Sequence, residues 1–237
     1  MFARALPNIF TVGNLFLGIV AMILAIQGEW KYGAIMVIIS MFLDGLDGRV
    51  ARMLNTQSEF GKELDSLSDV ISFGVAPALI MYTSILHELG IFGWLITAIF
   101  PICGALRLAR FNVRPGIPGY FIGLPITAAG GVLATMALYS DMVASPLLLV
   151  MGMLILSYLM VSRLKYPNFK RLGIPRSVYW ISPLIIILLA WLVARYPEEF
   201  PKIVFIPLAL YAFFGLRRSI SRRRKRNADE PVEELKP

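Results

Sequence analysis

The sequence predicts an all-α fold, a polytopic helical bundle embedded in a membrane, and three observations carry that expectation. Hydrophobic residues make up 57% of the 237 residues and charged residues only 16%, which is more apolar than one soluble core uses. Apolar runs long enough for a bilayer core of about 30 Å recur along the whole chain, separated by short connections. Basic residues gather in alternate connections instead of spreading evenly.

Eight spans can be drawn, near Ile9–Ile26, Tyr32–Arg52, Leu64–Leu86, Ile91–Arg110, Phe121–Ser140, Pro146–Val161, Val178–Ala194 and Ile203–Leu216. The first is not followed by a small-residue cleavage site and reads as a retained span. Prolines 183, 197, 201 and 207 could mark irregular structure in the last two, so six spans are also possible. With the N-terminus in the cytoplasm, only Lys31, Arg195 and Lys202 of the 23 basic residues fall outside. That bias places both termini in the cytoplasm of a multi-pass cell-membrane protein. Residues 1–216 read as one membrane domain, and residues 217–237 as a basic, partly disordered tail suited to anionic headgroups. A nucleic-acid arm has similar composition, but a position directly after a span argues against it. Cys103 reads as a small hydrophobe and His87 as a solvated loop residue.

Four aspartates interrupt this apolar chain. Asp44 and Asp47 lie near the end of the second span, and Asp65 and Asp69 near the start of the third. Each ionised carboxylate at membrane depth costs about 2.5 to 3.5 kcal/mol on insertion scales, so four together imply a compensating partner. Twelve residues, Tyr32 to Leu43, precede the first acid. They carry a helix about 18 Å from the outer face, which puts the acids close beneath the cytoplasmic boundary. Residues three and four apart share a helix face, so Asp44, Asp47, Gly48 and Arg52 form one stripe and Gly61, Asp65 and Asp69 another. Facing each other, the carboxylates repel unless a cation sits between them. All-oxygen ligation suits a hard divalent ion, magnesium or manganese, and such ions commonly share their coordination with substrate phosphates. Glycine at 48 and 61 leaves room for a phosphate beside the helices, and the Arg52 guanidinium matches phosphate oxygens in a two-pronged contact.

The same residues match the signature of the CDP-alcohol phosphotransferase family, Asp-x-x-Asp-Gly-x-x-Ala-Arg, eight residues, Gly-x-x-x-Asp-x-x-x-Asp, at every specified position. The resemblance implies that Asp44, Asp47, Asp65 and Asp69 hold two divalent ions. It also implies that Gly48, Arg52 and Gly61 adjoin the CDP moiety, that Asp69 doubles as the catalytic base, and that the protein is a homodimer. Pro7, Asn8, Thr11 and Asn14, at the start of the first span, resemble the family's nucleotide-side element. Ser58, inside the spacer, is similar to a further nucleotide contact.

The acceptor alcohol is not encoded in that signature. Arg107, Arg110, Phe111 and Asn112 resemble the Arg-x-x-Arg-Phe-Asn element of the phosphatidylserine synthases of this family, as does Gly123-Leu124-Pro125 soon after. Arginine suits the carboxylate of serine, and Asn112 its amino or hydroxyl group. The positive-inside rule alone would also account for these arginines. The leading expectation is transfer of a phosphatidyl group from CDP-diacylglycerol to L-serine with release of CMP. Glycerol 3-phosphate or inositol phosphate is the alternative acceptor. A divalent metal transporter is an alternative of another class, although the chain shows no repeated halves.

Overall fold

The computed structural model describes residues 2–113, 120–142, 145–167 and 210. The last two expected spans and the basic tail lie outside the described residues, apart from Leu210. What is described is mostly helical. Helix α1 (Phe2–Ile26) turns at Gly28, whose φ is +85°, into α2 (Trp30–Met53), and the two pack as an antiparallel hairpin. Helix α3 (Glu59–Asp69) continues through a wider π-helical turn, Val70–Val75, into α4 (Ala76–Ser84). That wide turn ends beside Pro77, which has no N–H to give to the preceding turn. Helix α5 (Ile91–Val113) follows, then α6 (Ile126–Leu138) and α7 (Pro146–Val161).

Among the described residues three helical stretches are long and apolar enough to cross a membrane: 7–26, 59–84 and 91–113. Their outward faces are those of a protein solvated by lipid. On α1 the large apolar residues Ile9, Val12, Phe16, Ile19, Ile23 and Ile26 are all exposed, while Thr11, Asn14, Ala21 and Ala25 are buried. A helix that hides its small and polar residues and presents an apolar stripe reverses the soluble pattern. Trp94, Leu95, Ile102 and Leu106 on α5 and Leu147, Met151 and Ile155 on α7 continue that apolar surface.

Helix α6 departs from the expected span Phe121–Ser140. It begins only after Pro125, and its 13 residues give about 20 Å, short of a bilayer core. Its residues are buried on nearly every side, and it packs against α2, α4 and α7. It is therefore a central prop. The residues before it form strand β1 (Tyr120–Ile122), paired antiparallel with β2 (Lys165–Pro167), with Phe121 opposite Tyr166. Three-residue strands are too short to show alternation in a sequence, so this pairing was not expected.

The π turn is gripped from both sides. A Cβ on Gly18 of α1 would collide with Ser72, and one on Gly130 of α6 would collide with the Phe73 backbone. Only glycine allows these approaches. Phe73 is fully buried there. The wide turn is thus held immediately after Asp69.

The two ends of the bundle differ. The starts of α1, α3 and α6 and the ends of α2, α5 and α7 gather at the acidic end. At the other end Lys31 meets Asp141 at 2.6 Å and Trp94 Nε1 donates to Tyr82 Oη at 2.7 Å. With Trp30 and Tyr32 nearby in the chain, that end has the aromatic composition of a membrane–water interface.

Candidate active site

The chain reverses between the two acidic stripes in a compact way. At the end of α2 the Thr56 N–H donates to Ala51 O and the Asn55 N–H to Arg52 O, with Asn55 left-handed at φ 51°. Ser58 then caps α3, its Oγ accepting from the Gly61 N–H at 3.0 Å. This short connection returns α3 along α1, against which α2 also packs, and it brings the acids of α2 and α3 together as the sequence predicts. Ligand oxygens of Asp44, Asp47 and Asp65 all lie within 4.8 Å of one another. Asp69, one turn further along α3, is buried and contacts Asp44.

The donor set fits a hard divalent cation. Carboxylates in mutual contact need a shared proton or a shared cation between them. The Oδ1 atom of Asp69 is buried and has no hydrogen-bond partner among the described residues. Asp44, Asp47 and Asp65 therefore offer the nearest ligands, and Asp69 stands within reach of the same centre.

A cleft of about 560 Å³ opens beside the cluster. Its walls are Pro7, Asn8 and Thr11 from α1, Asp47, Gly48, Ala51 and Arg52 from α2, the connection Thr56–Ser58, and Glu59, Gly61, Lys62 and Asp65 from α3. That volume is in the range of small-molecule sites. Arg52 is exposed and makes no ion pair among the described residues, while Lys62 has only a 3.9 Å contact with Glu59. A Cβ on Gly61 would press on Asn8 Oδ1 and Ser58 Oγ, each 3.1 Å away, so this glycine lets α1 approach α3.

The structure thus brings Pro7, Asn8, Thr11, Gly48, Arg52, Ser58 and Gly61 to one cleft, but not Asn14. Asn14 is fully buried one turn deeper, where its side chain meets Ser40 Oγ and its carbonyl accepts from Ser72 Oγ at 3.0 Å. It ties α1 to α2 and to the π turn. Thr11 is also committed to the protein, since its Oγ1 donates to Asp47 Oδ2 at 2.9 Å.

The residues singled out for the acceptor lie outside that cleft. Asn112 Nδ2 donates to Ser66 Oγ at 2.9 Å, one residue beyond Asp65. Arg110 Nη1 donates to Val161 O at 2.8 Å and so caps the end of α7 with a cation. Arg107 is buried, its guanidinium 5.5 Å from the Phe111 ring centroid. Sequence reasoning missed Thr127, whose Oγ1 stands 3.5 Å from Asp44 Oδ2. It also missed Thr56, Gln57 and Lys62 in the cleft wall. A hydroxyl in the first turn of an apolar helix at the acidic end was the available signal for Thr127.

Residues 4–214 match the family described as CDP-alcohol phosphatidyltransferase. A CDP-diacylglycerol--serine O-phosphatidyltransferase of Helicobacter pylori is 38% identical over 221 residues, covering 90% of each chain. The Bacillus subtilis protein of that name is 39% identical over 166 residues, 70% of this chain and 92% of its own. An archaetidylserine synthase of Methanothermobacter thermautotrophicus is 36% identical over 174 residues, 71% of this chain and 72% of its own.

Proposed function

The chain belongs to the CDP-alcohol phosphatidyltransferase family, and from that premise we propose that it makes phosphatidylserine, transferring the phosphatidyl group of CDP-diacylglycerol to the hydroxyl of L-serine and releasing CMP. The observation that carries this reading is the convergence of three aspartate oxygens within 4.8 Å in the wall of a cleft that also presents Arg52, Gly48 and Gly61. Serine is favoured as acceptor because both the Helicobacter and Bacillus relatives are named for it. The active site faces the cytoplasm, on the strength of the charge bias in the connections.

Asp44, Asp47, Asp65 and Asp69 would hold two divalent ions, magnesium or manganese. Bound there, the ions supply charge neutralisation for the diphosphate and for the attacking and leaving oxygens. The chain's own residues do the rest. Arg52 grips the phosphate that leaves with CMP, and the bare flank of Gly48 admits it beside α2. Pro7, Asn8 and Ser58 bound the nucleotide end of the cleft. The acyl tails remain against the exposed apolar faces of the helices, so the donor needs to enter only headgroup first. Asp69, buried beside Asp44, takes the serine hydroxyl proton. Alignment of that hydroxyl against the phosphoryl group contributes much of the acceleration, because an ordinary carboxylate is a weak base for an alcohol. Arg107, Arg110 and Asn112, at the end of α5, orient serine. The displacement is direct, with no covalent enzyme adduct.

Purified protein given CDP-diacylglycerol, a divalent salt and a panel of alcohols tests this by CMP release. Serine-dependent release abolished by chelator is expected. Release driven by glycerol 3-phosphate or inositol phosphate, and not by serine, would overturn the acceptor assignment.

A further inference from the structure

Thr11 carries an inference that goes beyond its place in the cleft wall. A threonine within a helix ordinarily gives its hydroxyl proton to the carbonyl four residues back. Here that carbonyl, Pro7 O, is 3.2 Å away, while Asp47 Oδ2 is at 2.9 Å on the neighbouring helix. A hydroxyl has one proton, and the nearer, ionic acceptor makes the stronger bond. The other oxygen of Asp47 accepts from the Gly48 N–H. The bond from α1 therefore fixes one carboxylate oxygen, and Asp47 cannot turn without breaking it. Thr11 is itself braced from α3, because Ser68 Oγ donates to Thr11 O at 3.1 Å. Thr11 is 3% exposed, so water does not compete for these bonds.

We propose that Thr11 is a positioning residue for the divalent-cation site, fixing the Asp47 carboxylate in the orientation that serves Asp44 and Asp65, and that it is not a donor to the nucleotide. The assignment rests on the metal-dependent reading above. Its hydroxyl ties α1 to α2 and its carbonyl ties α1 to α3, so the cation meets ligands already aimed at it. Removing an outer hydrogen-bond partner of a metal ligand commonly lowers metal affinity about 10- to 100-fold.

The test uses the full chain purified in detergent and titrated with Mn²⁺, read by the electron paramagnetic resonance of the free ion, with no nucleotide present. Thr11→Val keeps the shape and removes the hydroxyl, and is expected to weaken Mn²⁺ binding about tenfold or more. Thr11→Ser restores it. CDP affinity, measured with Mn²⁺ saturating, stays at the wild-type value in both. If Thr11→Val does not yield folded protein, Thr11→Ala serves as the second hydroxyl deletion. A hydroxyl deletion that binds Mn²⁺ like the wild type overturns the proposal, and a simultaneous loss of CDP affinity would return Thr11 to the nucleotide. A wild-type chain that binds no Mn²⁺ overturns the metal-dependent reading itself.

Discussion

On the α1 side of the acidic cluster Arg52 is exposed without an ion pair among the described residues, and Lys62 is held only by a 3.9 Å contact. On the α5 side Arg110 is bonded to Val161 O, Asn112 to Ser66 and Arg107 is buried beside Phe111. The first side is an open cleft with cations waiting at its wall. The second is a closed polar seam. An anionic diphosphate can therefore enter the cleft without breaking bonds in the protein, whereas a small polar acceptor has to exchange partners along the seam. On the proposed reading, the comparison teaches that donor binding is largely preformed and that acceptor selection is tied to the contacts of α5 with α7 and, through Asn112, with α3.

Several substitutions can break or sharpen that contrast. The largest effect is expected at the cluster itself. Asp65→Asn should lower CMP release by on the order of 10² to 10³-fold, because charge developing at the phosphoryl group loses its preorganised stabilisation. Its melting temperature should not fall, since a repulsive charge has been removed. Next, Arg52→Ala should raise the CDP-diacylglycerol requirement about tenfold to a hundredfold, the worth of a charged hydrogen bond of roughly 1.5 to 3 kcal/mol. The serine KM should not change, and equal shifts in both would erase the distinction between the two sides.

Arg110→Ala should raise the serine KM more than the donor KM, and it should also cost about 0.3 to 1 kcal/mol by uncapping α7. Thermal melting beside steady-state kinetics separates these parts. A loss of stability with both KM values intact would leave Arg110 a helix cap alone. The smallest effect belongs to the far end of the bundle. Lys31→Ala breaks an exposed pair with Asp141, which is worth about 1 kcal/mol at most, and should change neither KM.

Much of the donor side was legible in the sequence because it is local. Helical spacing alone puts Asp44, Asp47, Gly48 and Arg52 on one stripe and Gly61, Asp65 and Asp69 on another, and a five-residue connection keeps the two stripes at one end of the bundle. Helix α7 begins and ends at Pro146 and Val161, where hydropathy and a proline at the first turn place it. The bond from Thr127 to Asp44 spans 83 residues, and that from Thr11 to Asp47 spans 36. No periodicity announces such pairs. Asn14 shares a face with Thr11, yet one turn of helix carries it out of the cleft and into the packing between α1, α2 and the π turn. Helix α6 reads as a span by hydropathy, because a helix buried in protein is as apolar as one buried in lipid. The wide turn at Val70–Val75 has no sequence period of its own, and only the glycines that grip it hint at its place.

The central claim is that the aspartates of α2 and α3 present a cation to the donor's diphosphate. Calorimetric titration of the purified chain with CDP, in Mn²⁺ and then in chelator, tests it most directly. Binding that requires Mn²⁺ and is lost in Asp65→Asn is the predicted result. Binding of equal strength in chelator would contradict it.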